Sequence, residues 1–499
     1  MVKPIYGFEF LNRTSMNKAI ALILSLLLGG QLAAQYDFDP ITDLITDSIG
    51  VIGQSGESCG FLIVQGDSVI YERYWGSWDN ATYQPIASGS KMPSMALLMR
   101  LIDEGFLSLT DTIQTYLPSF AGKPFITLHQ LMNHTSGLPG QSPYISDNSY
   151  TLQQAVDSIG MNTPMTSFAP GTAFQYGGVS MHVAGRLAEI TTGMTWDSLF
   201  QQKIAIPLGM TNTDYEALGE TMNYRIAGGM GTTMPDFSKL LIMLLNDGLF
   251  NGVQVIEPET VSMMQSDQTN GVPLISTPYS NDPLRQDFRY GYGVWVEKES
   301  NGETTQFGSQ GAFGFTPWID RCRNIGCVFF VRRTLGIIQP THTQLRELIE
   351  QIIPVQLAQP LITTNGNQLQ SSYPDGNQWY FNGVLLNGED GSVLDASISG
   401  IYQVSHTSEE GCTVFSEELI HTAVAISEKG FPTLWTIHPN PSSDLIYANC
   451  TQGYELFNAM GQRIAQSTES VHSIGIAELP PGVYYLKSGV QVGRFIRAE

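Results

Sequence analysis

Ser88-Gly89-Ser90-Lys91, running into Met92-Pro93-Ser94-Met95-Ala96-Leu97-Leu98-Met99-Arg100-Leu101-Ile102-Asp103, is the stretch on which the fold turns. Apolar residues recur at Met95, Leu98, Met99 and Ile102, the i, i+3, i+4, i+7 spacing of a helix with one buried face. With Ser88 at the start of that helix, Lys91 lies three residues on and both side chains point the same way. A serine hydroxyl is a weak nucleophile until a neighbouring base takes its proton, and a desolvated lysine can be that base. The spacing makes Ser88 a candidate nucleophile and Lys91 its proton acceptor. S-x-x-K also arises by chance, so the surrounding sequence has to decide.

That sequence does decide. Leu101-Ile102-Asp103-Glu104-Gly105-Phe106-Leu107-Ser108-Leu109-Thr110-Asp111 follows the helix, and Tyr116-Leu117-Pro118 closes the run. His134-Thr135-Ser136-Gly137-Leu138, Pro170-Gly171-Thr172-Ala173-Phe174-Gln175-Tyr176, Pro207-Leu208-Gly209-Met210 and Ala227-Gly228-Gly229 come next, in that order. Together these segments resemble the class C β-lactamase-related serine hydrolases. The resemblance implies an α/β (α+β) penicillin-binding-protein-like domain, an antiparallel sheet flanked by helices plus a helical subdomain, over residues 35–353. It also makes Tyr176 the tyrosine of the Y-x-N box, a partner of Lys91 in moving the proton. The backbone amides of Ser88 and Ala312 become the oxyanion hole.

Two departures bear on substrate. The third residue of the Y-x-N box is Gly178, so the amide that would bind a substrate carbonyl is missing. The third family box, Lys-Thr-Gly or His-x-Gly, stands here as Ser309-Gln310-Gly311 and carries no cation for a substrate carboxylate. Both losses move the expectation from β-lactamase toward esterase or a peptidase of other specificity. Gly178, Ser309, Gly311 and Phe313 are the expected substrate-binding positions, with Gly311 letting the strand approach closely. Phe313, Phe315 and Trp318 are candidates for an apolar acyl pocket, with core packing the alternative. His134 reads as structural, and His182, one turn into the helix after Tyr176, as a candidate facing the cleft mouth. No Gly-x-Ser-x-Gly elbow surrounds Ser88, against an α/β-hydrolase.

The chain has 499 residues, 42% of them hydrophobic, enough for a full core and too long for one ordinary domain. A net charge of -22 argues against nucleic acid and anionic membrane as partners. Residues 1–34 read as an upstream extension and signal peptide: Lys18 precedes the apolar run from Ala19 to Leu28, and cleavage is expected after Ala34. No segment of the mature chain is expected to span a membrane as a helix. The five cysteines make no disulfide framework. Cys322 and Cys327 flank Arg323-Asn324-Ile325-Gly326, where a bridge across a strand turn is geometrically possible and two unpaired thiols are the alternative. None has metal-ligand spacing, and no cofactor is expected.

Beyond Ile353-Pro354 the texture becomes all-β, with short apolar runs between Asn/Gly/Asp turns. Over 354–426, Gln378-Trp379-Tyr380-Phe381-Asn382-Gly383 and Ser399-Gly400-Ile401-Tyr402-Gln403-Val404 resemble immunoglobulin-like modules of secreted proteins. Over 430–499, Ile437-His438-Pro439-Asn440-Pro441, Leu456-Phe457-Asn458-Ala459-Met460-Gly461-Gln462-Arg463, Leu479-Pro480-Pro481-Gly482-Val483-Tyr484-Tyr485-Leu486 and Arg494-Phe495-Ile496 resemble the type IX secretion sorting domain. That resemblance implies two small all-β sandwiches after the hydrolase, and type IX secretion machinery as a partner. The expected activity is hydrolysis of an ester, amide or peptide carbonyl through a Ser88 acyl-enzyme. A β-lactamase or DD-peptidase is the alternative enzyme, and a silent peptide- or glycan-binding protein the alternative of another class.

Overall fold

The computed structural model describes residues 36–53, 58–279, 288–297, 305–423, 437–489 and 491–498. The expected leader over residues 1–34 lies outside them. The chain divides into two compact units, Met1–His421 and Thr422–Glu499.

In the first unit, β1 (Cys59–Gln65) reads CGFLIVQ, an unbroken apolar run suited to a strand covered on both faces. It pairs with β2 (Ser68–Trp75). Five more strands come from far along the chain: β3 (Arg289–Tyr290), β4 (Trp295–Glu297), β5 (Gln306–Gly308), β6 (Thr316–Asp320) and β7 (Ile325–Phe330). The spatial order is β2-β1-β7-β6-β5-β4-β3, antiparallel throughout. The main helices of this unit are α1 (Asp39–Ile52), α2 (Lys91–Asp103), α3 (Val179–Thr192), α4 (Met234–Leu245) and α5 (Leu335–Ile352). Alternation along β1 sends Phe61 and Ile63 to one face, where Trp318, Phe329 and the apolar sides of α1 and α5 cover them. Leu62 and Val64 point the other way, into a larger core with Val328, Phe330 and residues of α2 and α4. The antiparallel sheet, the flanking helices and the helical region between β2 and β3 are those expected.

One expectation needs correction. The sequence pattern gives α2 a single apolar face, but nearly every residue from Lys91 to Leu101 is buried. Ser94, which breaks the pattern, is satisfied inside the core: its hydroxyl lies 2.5 Å from Tyr215 OH and donates to the Ile226 carbonyl. Met92, Met95, Leu97, Leu98, Met99 and Leu101 are each fully buried, worth about 1.5–3 kcal/mol apiece. The helix carrying the candidate base is therefore a central and rigid element.

Residues 362–421 form two small sheets. One pairs Ile362–Asn365, Gln368–Ser371 and Val393–Asp395; the other joins Asn377–Phe381, Val384–Leu385, Gly400–Thr407, Thr413–Phe415 and Leu419–His421. Trp379, Tyr402, Leu369, Leu394 and Val404 make their shared core. Trp379 Nε1 donates to the Gly391 carbonyl, as a buried indole requires. The cysteine expectation also changes here: Cys322 is bonded to Cys412, not to Cys327. Cys327 lies within β7 opposite Trp318 and is buried in the sheet's core, while Cys322 sits in the turn outside it. The bridge ties the hydrolase region to the β module across 90 residues.

In the second unit, Tyr454–Asn458, Arg463–Ser467, Gly482–Ser488 and Gln491–Arg497 build a four-stranded sheet, with Leu445–Cys450 and Val471–Gly475 paired beside it. Alternate residues Ile446, Ala448, Cys450, Leu456, Leu486 and Phe495 share one small core.

Candidate active site

Ser88 occupies the 3-10 turn Ala87–Ser90 that runs into α2. Ala87 has φ 47°, in the left-handed region, which an L-residue holds only when its surroundings impose it. They do. Ser90 Oγ donates to the Ala87 carbonyl at 2.6 Å and accepts from the Met230 amide at 3.1 Å. Gly89 admits the Phe315 ring, since a Cβ there would lie 2.5 Å from Phe315 Cδ1. At the start of the helical turn, the Ser88 N–H has no carbonyl of its own helix to bond.

Lys91 is 3% exposed. Its Nζ donates to Ser88 Oγ at 3.1 Å and to the Ala227 carbonyl at 3.0 Å. It sits 4.5 Å from the centre of the Tyr176 ring. No carboxylate pairs with it among the described residues, so burial lowers its pKa from 10.5 to about 7. Tyr176 follows the short strand Phe174–Gln175, and its amide donates to the Ser276 carbonyl. Gly177 lets this turn press on Gly140, where a Cβ would come within 2.0 Å of the Gly140 oxygen. Burial raises the phenol to about 12, against the opposing pull of hydrogen bonds with Ser88 and Trp295.

His134, 1% exposed, packs edge-on against Tyr176 and Phe174 and at a tilt against Tyr290. Burial and the nearby Lys91 charge keep its imidazole well below the usual range, so it is a neutral wall beside the tyrosine. His182 is buried too, with Nε2 2.9 Å from Asn223 Oδ1, and burial lowers its pKa to about 4. Asn223 Nδ2 in turn holds the carbonyls of Tyr144 and Asp147. His182 thus braces a wall of the cleft while lining it.

The third box is placed differently from expectation. Ser309 is 3% exposed, and its hydroxyl donates to the Ser88 carbonyl at 3.3 Å, so it supports the nucleophile from below. Gly311 permits a close approach to the nucleophile's own turn: a Cβ would lie 2.1 Å from the Ile86 carbonyl oxygen. The turn it opens is closed by Gly311 N–H to the Phe315 carbonyl and Gly314 N–H to the Gly311 carbonyl. Those bonds leave the Ala312 amide uncommitted at the turn's tip. Phe313 is 39% exposed at the same tip, while Phe315 and Trp318 are core residues, not an acyl pocket.

Ser88, Lys91, Tyr176 and Gly178 line one cleft of about 240 Å³. A Cβ on Gly178 would come within 2.9 Å of Ile145 Cδ1, so an isoleucine crowds the space beside the missing asparagine. Among the described residues no group of three or more His, Cys, Asp or Glu side chains is placed to hold a metal. No described helix is long and apolar enough to cross a membrane.

The beta-lactamase family model matches residues 51–338, more than half of the chain. The chain belongs to the beta-lactamase family. Its relatives span several serine-hydrolase activities. A "putative D-alanyl-D-alanine carboxypeptidase" of Escherichia coli is 24% identical over 337 residues, 52% of this chain and 73% of that protein. Esterase EstB of Burkholderia gladioli is 27% identical over 183 residues, 31% of this chain and 46% of the esterase. A solved structure of a "putative beta-lactamase" from Bacteroides dorei superposes with TM-score 0.55 at 29% identity, covering 62% of this chain and 98% of its own. This beta-lactamase-family protein is therefore a serine hydrolase by family. Sequence reasoning named Ala227-Gly228-Gly229 as a motif without a role; the Lys91 contact to the Ala227 carbonyl supplies one. It missed Gln141, Ile145, Leu218 and Arg225, cleft residues that no local pattern marks.

Proposed function

We propose that this chain is an exported hydrolase that cleaves an ester or amide carbonyl through an acyl-enzyme on Ser88. One observation carries the reading: a buried, acid-free amine, Lys91 Nζ, hydrogen-bonds Ser88 Oγ at 3.1 Å. With a pKa of about 7, that amine is neutral in close to half the molecules at neutral pH. It takes the Ser88 proton as Oγ bonds the carbonyl carbon. The Ser88 and Ala312 amides receive the oxyanion. Tyr176, a neutral phenol with a pKa of about 12, donates to the leaving oxygen or nitrogen as that bond breaks and is reprotonated from the Lys91 ammonium. Water then repeats the attack with the roles reversed, releasing the acid and restoring the Ser88 hydroxyl. No step needs a metal or organic cofactor.

An apolar wall at Ile145 and Leu218, beside Gly178 in place of the Y-x-N asparagine, favours an ester over a β-lactam. The test is turnover of p-nitrophenyl butyrate and nitrocefin by the purified chain and by Ser88→Ala. Butyrate turnover lost in the variant, with little nitrocefin cleavage, supports the esterase reading; efficient nitrocefin turnover supports the β-lactamase instead. No turnover and no fluorophosphonate labelling of Ser88 would leave a binding protein.

We infer, on the sequence resemblances alone, that residues 1–34 direct Sec export, 354–426 act as an immunoglobulin-like spacer, and 430–499 engage type IX secretion. Deleting residues 430–499 in the native host should trap the protein in the periplasm. Unaltered release would end this reading.

A further inference from the structure

We propose that Arg225 makes the cleft a receptor for a carboxylate, so that the preferred substrate is an ester or amide carrying an acid group away from its scissile carbonyl; this rests on the Ser88 acyl-enzyme reading. Arg225 lines the same cleft as Ser88, Lys91 and Tyr176. Its Nη2 donates to the Ser146 carbonyl at 2.8 Å and to Asn148 Oδ1 at 3.3 Å, both uncharged acceptors. Its Nε is buried with no hydrogen-bond partner. No ion pair joins it among the described residues, and no aspartate or glutamate lines the cleft. Asp147, on the segment Arg225 touches, has its carboxylate accepting from the Ser149 amide and hydroxyl.

An arginine is ionised at every ordinary pH, whereas burial pushes the other two basic groups of the cleft, Lys91 and His182, toward their neutral forms. Arg225 is thus the one lasting positive charge among the residues lining the cleft. It is also held in place: Asn223, itself bonded to His182, clamps the Tyr144 and Asp147 carbonyls, and so the segment that Arg225 contacts. With Nη2 committed to Ser146 and Asn148 and Nε buried, the guanidinium has no acid to balance its charge, and a substrate carboxylate within reach of Nη1 matches it. The family's usual cation is missing from Ser309-Gln310-Gly311, the segment that follows β5, so Arg225 puts the anion subsite on another wall. The net charge of -22 repels anions at long range. Any acid preference must then come from the cleft itself.

The experiment compares two substrate pairs on wild type, Arg225→Gln and Arg225→Lys. Mono-4-nitrophenyl glutarate against 4-nitrophenyl pentanoate places the acid on the acyl side; 4-acetoxybenzoate against 4-acetoxybenzamide places it on the leaving group. The reading is the acid-to-neutral ratio of kcat/KM in wild type divided by that ratio in Arg225→Gln, which cancels intrinsic reactivity. The expected quotient is about tenfold or more in one pair, with Arg225→Lys in between. A quotient within twofold of one in both pairs overturns the proposal. Should Arg225→Gln not fold, inhibition of wild-type pentanoate turnover by glutarate and by glutaramide decides. Competitive inhibition by glutarate alone supports the site; equal or no inhibition by the two refutes it. Failure of the acyl-enzyme reading is separately visible, as neutral-ester turnover that survives Ser88→Ala.

Discussion

Lys91→Met should abolish turnover and yet stabilise the protein at mildly acid pH. Methionine keeps the unbranched chain of a lysine inside a helix packed on nearly every side. The gap between a folded-state pKa of about 7 and the ordinary 10.5 corresponds to a cost of about 5 kcal/mol for holding the protonated amine in the core. Against its removal stand the hydrogen bonds to Ser88 Oγ and the Ala227 carbonyl; an Ala227 carbonyl left unpaired costs about 1–3 kcal/mol. The net gain at pH 6 is then about 2 kcal/mol, a few degrees in Tm for a unit of this size. The sign reverses with pH. Between about 7 and 10.5 the unfolded chain holds a proton on this amine that the folded chain lacks, so wild-type stability rises relative to the variant across that window. Paired thermal melts at pH 6, 8 and 10 should show the Met variant ahead at pH 6 and its advantage gone by pH 10. A variant less stable than wild type at pH 6 would refute the argument that Lys91 is an uncompensated buried base.

Initial-rate kcat/KM for a neutral ester should rise about tenfold per pH unit below 7 and level above it, as the Lys91 amine loses its proton; a flat profile from pH 5 to 8 would remove Lys91 as the base. Tyr176→Phe should slow ethyl butyrate by about a hundredfold or more and p-nitrophenyl butyrate much less, because nitrophenolate leaves without help from an acid. Equal losses on both esters would mean that Tyr176 does not serve the leaving group. Gly311→Ala sets a Cβ against the Ile86 carbonyl and should cut ester kcat/KM by about a hundredfold through a displaced oxyanion hole. Cys412→Ser opens a 90-residue loop, worth at most about 4–5 kcal/mol. Limited proteolysis should show cleavage within residues 362–421 becoming faster while ester turnover persists.

What the sequence makes legible here is what neighbours in the chain decide. Ser88 and Lys91 are three residues apart on consecutive helical turns, so their contact follows from helix geometry alone. β1 announces its double burial by an unbroken apolar run. Contacts that depend on tertiary closure leave no such trace. The Ala227 carbonyl that receives Lys91 lies 136 residues downstream, and Cys412 lies 90 from its partner. Ser94 lies outside the apolar pattern of its helix, and the hydrogen bonds to Tyr215 and Ile226 that satisfy it in the core exist only in the fold. The same reason hides the third box: Ser309-Gln310-Gly311 looks like a substrate strand stripped of its cation, whereas the fold uses Ser309 to brace the nucleophile.

These differences share a direction. Lys91 and Tyr176 stand beside Ser88 as the proposed carbonyl chemistry requires, while the positions expected to bind substrate depart from the family pattern. An asparagine has given way to Gly178, a cation is absent at Ser309, and a cation stands at Arg225, beside the apolar Ile145 and Leu218. Chemistry at the carbonyl needs groups within hydrogen-bond reach of one atom, and their placement tolerates little change. Recognition of the rest of the substrate is spread over loops, where a charge can be lost from one wall and gained on another without moving the nucleophile. The proposed acyl transfer and the proposed carboxylate preference can therefore be tested separately, the first through Lys91 and Tyr176, the second through Arg225.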